Sequence, residues 1–373
     1  MNHLPFARIS LDEETINGVC EVLRSGWIAS GPYVTKLESA LSAYLGQRPV
    51  RVLTSGTAAL ELALHTAGIH AGDEVIVPAM SFAASANVVL RAGATPIFVD
   101  VELASRNLNL DLVEEAISPR TRAIMPVHFA GLPVDMDRLS RLARRHGVRV
   151  IEDAAHAIGA SYRGRRIGAF GDIACFSFHP NKNMTTIEGG AIALDSAEEI
   201  HDVELARFHG IERDPDNNVD VLQPGGKYNL PDVSARIGLG QLPLLDAFTR
   251  RRRELADLYF EELSIEPPGS LPERGDAGHC WNMFTLLLPF GRLGLTRSQF
   301  IQAMAKRGIG VGVHYPCIPG LSAYRHLGYA DALYPNAARI GRETVTLPLF
   351  PTMKNDDVRR VCDVLRGVVK NCL

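Results

Sequence analysis

Arg51-Val52-Leu53-Thr54-Ser55-Gly56-Thr57-Ala58-Ala59-Leu60 is the stretch on which the fold is read. Arg51 to Thr54 reads as a short strand and Thr57 to Ala67 as a helix, with small residues at the turn between them. The same unit then recurs. Strands are expected at Glu74 to Val77, Thr95 to Val99, Arg122 to Val127 and Val148 to Glu152. Helices are expected at Ala83 to Ala92, Leu110 to Ile117 and Met136 to His146. Such alternation argues for an α/β fold, a mostly parallel sheet with helices on both faces. Ligands then belong at the carboxyl ends of the strands, where the polar loops lie.

Downstream, Asp172 to Phe178 and Gly189 to Leu194 are two further apolar segments. A helical stretch from Asp232 to Leu263 ends near Pro267-Pro268, and its run Arg250-Arg251-Arg252-Arg253 reads as a solvated helix face. A strand from Asn282 to Pro289 and helices from Arg297 to Arg307 and Asp356 to Val369 follow. Residues 1–245 are therefore expected to form a large domain and residues 246–373 a smaller C-terminal α+β domain.

The 373 residues are 46% hydrophobic and 22% charged, with a formal net charge of −3. That is the balance of a globular chain, long enough for more than one domain, with no charge excess for nucleic acid or a membrane surface. The six cysteines are scattered without a CxxC pair, which fits reduced thiols in a cytoplasmic protein. The N-terminus lacks a basic region followed by an apolar stretch, so no signal peptide is expected, and no apolar run is long enough to span a bilayer.

The chemistry concentrates in four places. In Phe176-Ser177-Phe178-His179-Pro180-Asn181-Lys182, continuing to Glu188-Gly189-Gly190, one lysine sits on a loop between two apolar segments. A desolvated lysine is a nucleophile for carbonyl compounds; a surface lysine is not. Ser55-Gly56-Thr57 opens a helix and suits either an anion or a simple cap. In Glu152-Asp153-Ala154-Ala155-His156, a carboxylate at a strand end would keep a pyridinium nitrogen charged; Asp153 would equally cap a turn. Phe82 follows another strand and suits either a flat ring or the core. A metal site on His128, His156 and His179 fits no known spacing. Gly226 to Asp232 says little unaided.

Jointly these residues supply what a pyridoxal phosphate enzyme needs. With Ser25 to Pro32, Gly72 to Val75, Tyr228-Asn229 and Leu347 to Pro351, they make the chain resemble the DegT/DnrJ/EryC1/StrS sugar aminotransferases over nearly its whole length. The resemblance implies fold type I among pyridoxal phosphate enzymes. It implies that Lys182 bonds the cofactor covalently and shuttles a proton, and that Asp153 pairs with the ring nitrogen. His156 would lie beside the ring oxygen and Phe82 would stack on the ring. Gly56, Thr57 and Ser177 would hold the phosphate. Asn229 would reach the cofactor of the other subunit in a homodimer with shared sites, and His314 would meet the substrate from the partner chain. The implied reaction moves an amino group from an amino acid, L-glutamate, to a nucleotide-linked keto-sugar. Likeness within the family is strongest to enzymes acting on a UDP-linked keto-pentose, and Arg24, Lys227 or Arg325 would then meet the diphosphate. A dehydratase of the same family would carry histidine in place of Lys182, and a non-catalytic regulator would need a basic DNA-binding module.

Overall fold

The computed structural model describes residues 3–264 and 269–370; the expected helix end at Pro267-Pro268 and Cys372 lie outside them. Helices α1 (Glu13–Ser25) and α2 (Pro32–Tyr44) come first. Then β1 (Val50–Leu53), α3 (Gly56–Thr66), β2 (Glu74–Pro78), α4 (Ala84–Arg91), β3 (Thr95–Val99), α5 (Leu110–Ala116), β4 (Thr121–Ile124), α6 (Met136–His146) and β5 (Arg149–Asp153) alternate as the sequence pattern expects. β6 (Ile173–Ser177), β7 (Gly190–Ala193) and α7 (Ala197–Ala206) complete the first part.

These seven strands form one sheet in the order β1-β7-β6-β5-β4-β2-β3. Neighbours from β6 through β3 pair in parallel, whereas β7 runs antiparallel to both β1 and β6. The strands are nearly all apolar because both faces are covered. One apolar cluster joins Val75, Val77 and Ile151 to Ala59 and Leu62 of α3, Val88 of α4 and Val203 of α7. The opposite cluster joins Ile76, Ile124 and Val150 to Leu37 of α2, Val113 of α5 and Leu139 of α6. Alternate residues of one strand thus feed two cores, as the two-residue period of a strand requires.

The remaining elements are α8 (Asp232–Gln241), α9 (Leu245–Ser264), β8 (Phe284–Leu287), α10 (Arg297–Lys306), α11 (Ser322–His326), α12 (Pro335–Glu343), β9 (Thr344–Leu347) and α13 (Asn355–Lys370). β8 and β9 pair antiparallel. A third core unites Tyr259 of α9, Phe284, Phe300 and Val345 with Val358 and Leu365 of α13, and Leu4 packs into it.

The arginine run departs from expectation. Successive residues of an α-helix turn by about 100°, so four arginines cannot share one face. Arg250 points to solvent, but Arg252 is 5% exposed and donates to the carbonyls of Leu349 (2.7 Å), Asn282 (3.3 Å) and Trp281 (3.4 Å). It fastens α9 to the C-terminal core.

Candidate active site

The carboxyl ends of β1, β2, β5 and β6 converge on a cavity of about 350 Å³. Its lining includes Ser55, Gly56, Thr57, Ser81, Phe82, Asp153, His156, Ser177, Lys182, His314 and Tyr315. The sequence-expected residues meet there, Asn229 excepted.

The lysine loop is fixed by its own polar groups. Lys182 N–H donates to the His179 carbonyl (2.9 Å), and Thr185 Oγ1 and Thr186 N–H both donate to the Phe178 carbonyl. Asn282 Nδ2 donates to the Asn181 carbonyl and to Asn183 Oδ1 (3.2 Å each). Burial lowers the Lys182 amine to about 8, with the negative charge of Asp153 opposing the shift. An amine in that range gives and takes protons near neutral pH.

Asp153 ends β5 and is 5% exposed. Burial raises its pKa, and two donors oppose that: Ser85 Oγ on Oδ2 (2.7 Å) and Ala155 N–H on Oδ1 (3.2 Å). Neither is a helix-cap contact; Ala155 N–H closes a turn, and the carboxylate still lines the cavity. His156 stacks on Tyr315 with centroids 5.9 Å apart, and its Nε2 lies 3.2 Å from Tyr315 Oη. Burial holds His156 well below the usual imidazole range, so it is neutral at pH 7. Its Nδ1 is buried with no partner among the described residues.

The anion end is built by α3. Ser55 caps the helix by accepting from Ala58 N–H (3.0 Å). Ala59 N–H bonds the Ser55 carbonyl, which leaves the N–H groups of Gly56 and Thr57 as first-turn donors outside the helix ladder. A Cβ on Gly56 would come within 2.8 Å of Ser177 Cβ, and one on Gly190 within 2.3 Å of the Ser55 carbonyl oxygen. Only glycines allow this approach of β1, β6 and β7.

Phe82 is 58% exposed over the cavity, so the core reading of that ring fails. His314 also corrects an expectation. It lines the cavity of its own chain, with Nδ1 2.8 Å from Thr346 Oγ1 and the ring stacked on Phe6. Burial, with Lys182 nearby, lowers it to about 4. Asn229 stays out of its own cavity and donates from Nδ2 to Ser30 Oγ. None of Arg24, Lys227 and Arg325 lines the cavity; Lys227 lies over the Phe208 ring (4.1 Å). His128 is fully buried against Glu152 (3.0 Å), and among the described residues no group of three His, Cys, Asp or Glu is placed to hold a metal.

The model of the DegT/DnrJ/EryC1/StrS aminotransferase family matches residues 9–366. The chain belongs to that family. SpsC of Bacillus subtilis, a spore coat polysaccharide biosynthesis protein, is 37% identical over 381 residues, covering 99% of this chain and 98% of SpsC. Spr1654 of Streptococcus pneumoniae, solved in apo, PMP and PLP forms, superposes in its apo form with a TM-score of 0.94 at 32% identity, covering 99% and 98% of the two chains. PseC of Helicobacter pylori, an aminotransferase involved in pseudoaminic acid biosynthesis, gives 0.93 at 26% identity over 99% of this chain and all of PseC. Like its family, the chain is a pyridoxal phosphate-dependent transaminase. The cavity fits that cofactor on three grounds: a helix N-terminus with spare N–H donors, a buried carboxylate, and the unpartnered Nδ1 of His156. Among the described residues no helix is long and apolar enough to cross a membrane.

Two groups escaped the sequence reading. Tyr315, the residue after His314, walls the cavity beside His156. Ser85, in the first turn of α4, lies four residues after Ser81, and that pair of hydroxyls at a strand-end turn was the available signal.

Proposed function

We propose that the chain transfers an amino group from L-glutamate to the keto group of a nucleotide-linked sugar, with UDP the favoured carrier. The observation that carries the reading is the pairing of Lys182 and Asp153 in one cavity at the strand ends, beside the N-terminus of α3.

When bound, pyridoxal phosphate supplies an aldehyde that condenses with amines and a ring that accepts electrons. Gly56 and Thr57 offer N–H groups to its phosphate, and the Ser177 hydroxyl adds a donor. Asp153 would present a negative charge to the ring nitrogen and favour its protonated form. Lys182 Nζ would be the covalent anchor and, once released, would move a proton between the donor's α-carbon and the carbon that was the cofactor's aldehyde; the lowered pKa near 8 suits both taking and giving it. His156, neutral and held by Tyr315, would offer its unpartnered Nδ1 to the ring oxygen. Phe82 would cover one ring face. His314, also neutral, faces the substrate side.

We further read the protein as a homodimer with shared sites, its two domains meeting near residue 245. Exposed Trp27, Ile28, Val221 and Leu222 are apolar surface of the kind a second copy covers, and Asn229 is unused in its own cavity. In mixed dimers of Lys182→Ala and Asn229→Asp chains, one site is expected to keep both residues and regain turnover.

The substrate assignment is tested by charging the enzyme with pyridoxamine phosphate and offering UDP-linked keto-sugars, pyruvate and oxaloacetate in turn. A keto-sugar is expected to restore the aldehyde-form absorbance with the highest kcat/KM. A higher value for the small keto acids would leave a transaminase without the sugar specificity.

A further inference from the structure

The turn that carries Phe82 also carries two buried hydroxyls. Ser85 is fully buried and Ser81 is 3% exposed, and their oxygens lie 3.0 Å apart. Ser85 Oγ is 2.7 Å from Asp153 Oδ2 and makes a longer contact, 3.3 Å, with the Phe82 carbonyl. An ionised carboxylate only accepts, so the Ser85 proton points at Asp153. Ser81 must then donate to Ser85 Oγ. Two hydroxyl dipoles in series are aimed at one carboxylate, from the turn that leads into α4.

We propose that Ser85 is a positioning residue for the transamination: its hydroxyl, backed by Ser81, keeps the Asp153 carboxylate charged and turned into the cavity. This rests on the reading of Asp153 as the partner of the ring nitrogen.

The physical need is clear from the surroundings. Asp153 is 5% exposed, and burial pushes a carboxyl toward its neutral form. A neutral acid would forfeit the charge that holds a ring nitrogen protonated. The ionisable groups facing Asp153 are Lys182 from the loop after β6, His128 from the segment after β4, Cys175 on β6 and Tyr315 from the segment before α11. Lys182 and His128 favour the carboxylate, but Lys182 is itself pushed toward neutrality and is consumed when it anchors the cofactor. Cys175 and Tyr315 are raised by burial and stay neutral, so they add no compensating charge. The Ser85 hydroxyl and the Ala155 N–H are the fixed donors, and only the hydroxyl belongs to a removable side chain. The same turn presents Phe82 to the cavity, so one short segment governs both the ring face and the charge at the ring edge.

Hydrogen bonds to a charged group are among the stronger ones, and one pKa unit is a tenfold change in the protonation constant. Ser85→Ala is therefore expected to raise the Asp153 pKa by about one to two units. The direct readout is the protonated-carboxyl band of Asp153 in the full-length apoprotein, followed against pH by isotope-edited infrared difference spectroscopy with Asp153→Asn as the blank. Ser85→Thr, which retains the hydroxyl, is expected to restore the wild-type titration. Ser81→Ala is expected to give a smaller upward shift. It also keeps the test alive should Ser85→Ala not fold.

The loaded enzyme gives a second readout. The pH at which the bound cofactor's absorbance changes should fall in Ser85→Ala while its KM for the amino donor is held and kcat drops about tenfold. An Asp153 titration that is unchanged in Ser85→Ala, or in Ser81→Ala when that variant alone folds, overturns the proposal. Near-normal turnover in Asp153→Asn would instead overturn the reading of the site, so the two failures are told apart.

Discussion

The floor and the rim of the cavity are built differently. The floor is set by strand ends: Asp153 is nearly inaccessible, His156 is 4% exposed, and the lysine loop is tied down by Thr185, Thr186, Asn183 and Asn282. The rim is open: Phe82 is 58% exposed, and Glu188, which also lines the cavity, is exposed. A floor that desolvates charges sets reactivity; a rim that leaves an apolar ring in water is completed by whatever binds there. Chemistry is therefore expected to respond to floor substitutions and binding to rim substitutions.

The largest effect belongs to Lys182→Ala. Turnover should fall by at least two to four orders of magnitude, the worth of positioned proton transfer, while the variant still binds the cofactor without a covalent bond. Stopped-flow and equilibrium dialysis separate the two. Asp153→Asn comes next. Removing an adjacent opposite charge moves a pKa by about one to three units, so kcat should drop by about ten- to a thousandfold with cofactor affinity much less changed. Activity near wild type would break the floor half of the comparison.

At the rim, Phe82→Ala removes a stacking surface worth about 0.5–1.5 kcal/mol, so cofactor affinity should weaken by about two- to tenfold with kcat little altered. The reverse split, kcat falling and affinity held, would move Phe82 into the reacting machinery.

The floor also carries a stability cost with a definite pH sign. Lys182 titrates at about 8 in the fold against 10.5 when exposed. Between those values the unfolded chain binds more protons, so stability rises with pH across that window. Lys182→Met should therefore stabilise the apoprotein at pH 7, by about 2–3 kcal/mol, and the gain should disappear as pH approaches 10.5. Denaturant titrations at the two pH values check it.

The contrast also explains what was legible in the sequence. The strands and helices from β1 to β5 show their periods locally, and their observed bounds fall within a few residues of the reading. The antiparallel course of β7 was not readable, because a four-residue apolar run carries no direction. α2 gave no cap signal: its first N–H groups are satisfied by Asp232, about two hundred residues on, which accepts from Gly31, Tyr33 and Val34. Arg252 looked like surface because a run of like charges hides the rotation of the helix beneath it. At the site, Lys182, Asp153, Gly56 and Thr57 were legible because each stands at a strand end. Ser85 was not, since its role exists only through Asp153, sixty-eight residues away in sequence.

The central claim is that the Lys182 amine, lowered by burial and held by its loop, is the group that bonds the cofactor. Borohydride reduction of the loaded protein followed by peptide mapping tests it directly. The account predicts the pyridoxyl group on Lys182 and on no other lysine in the chain; its recovery on a different lysine would contradict the account.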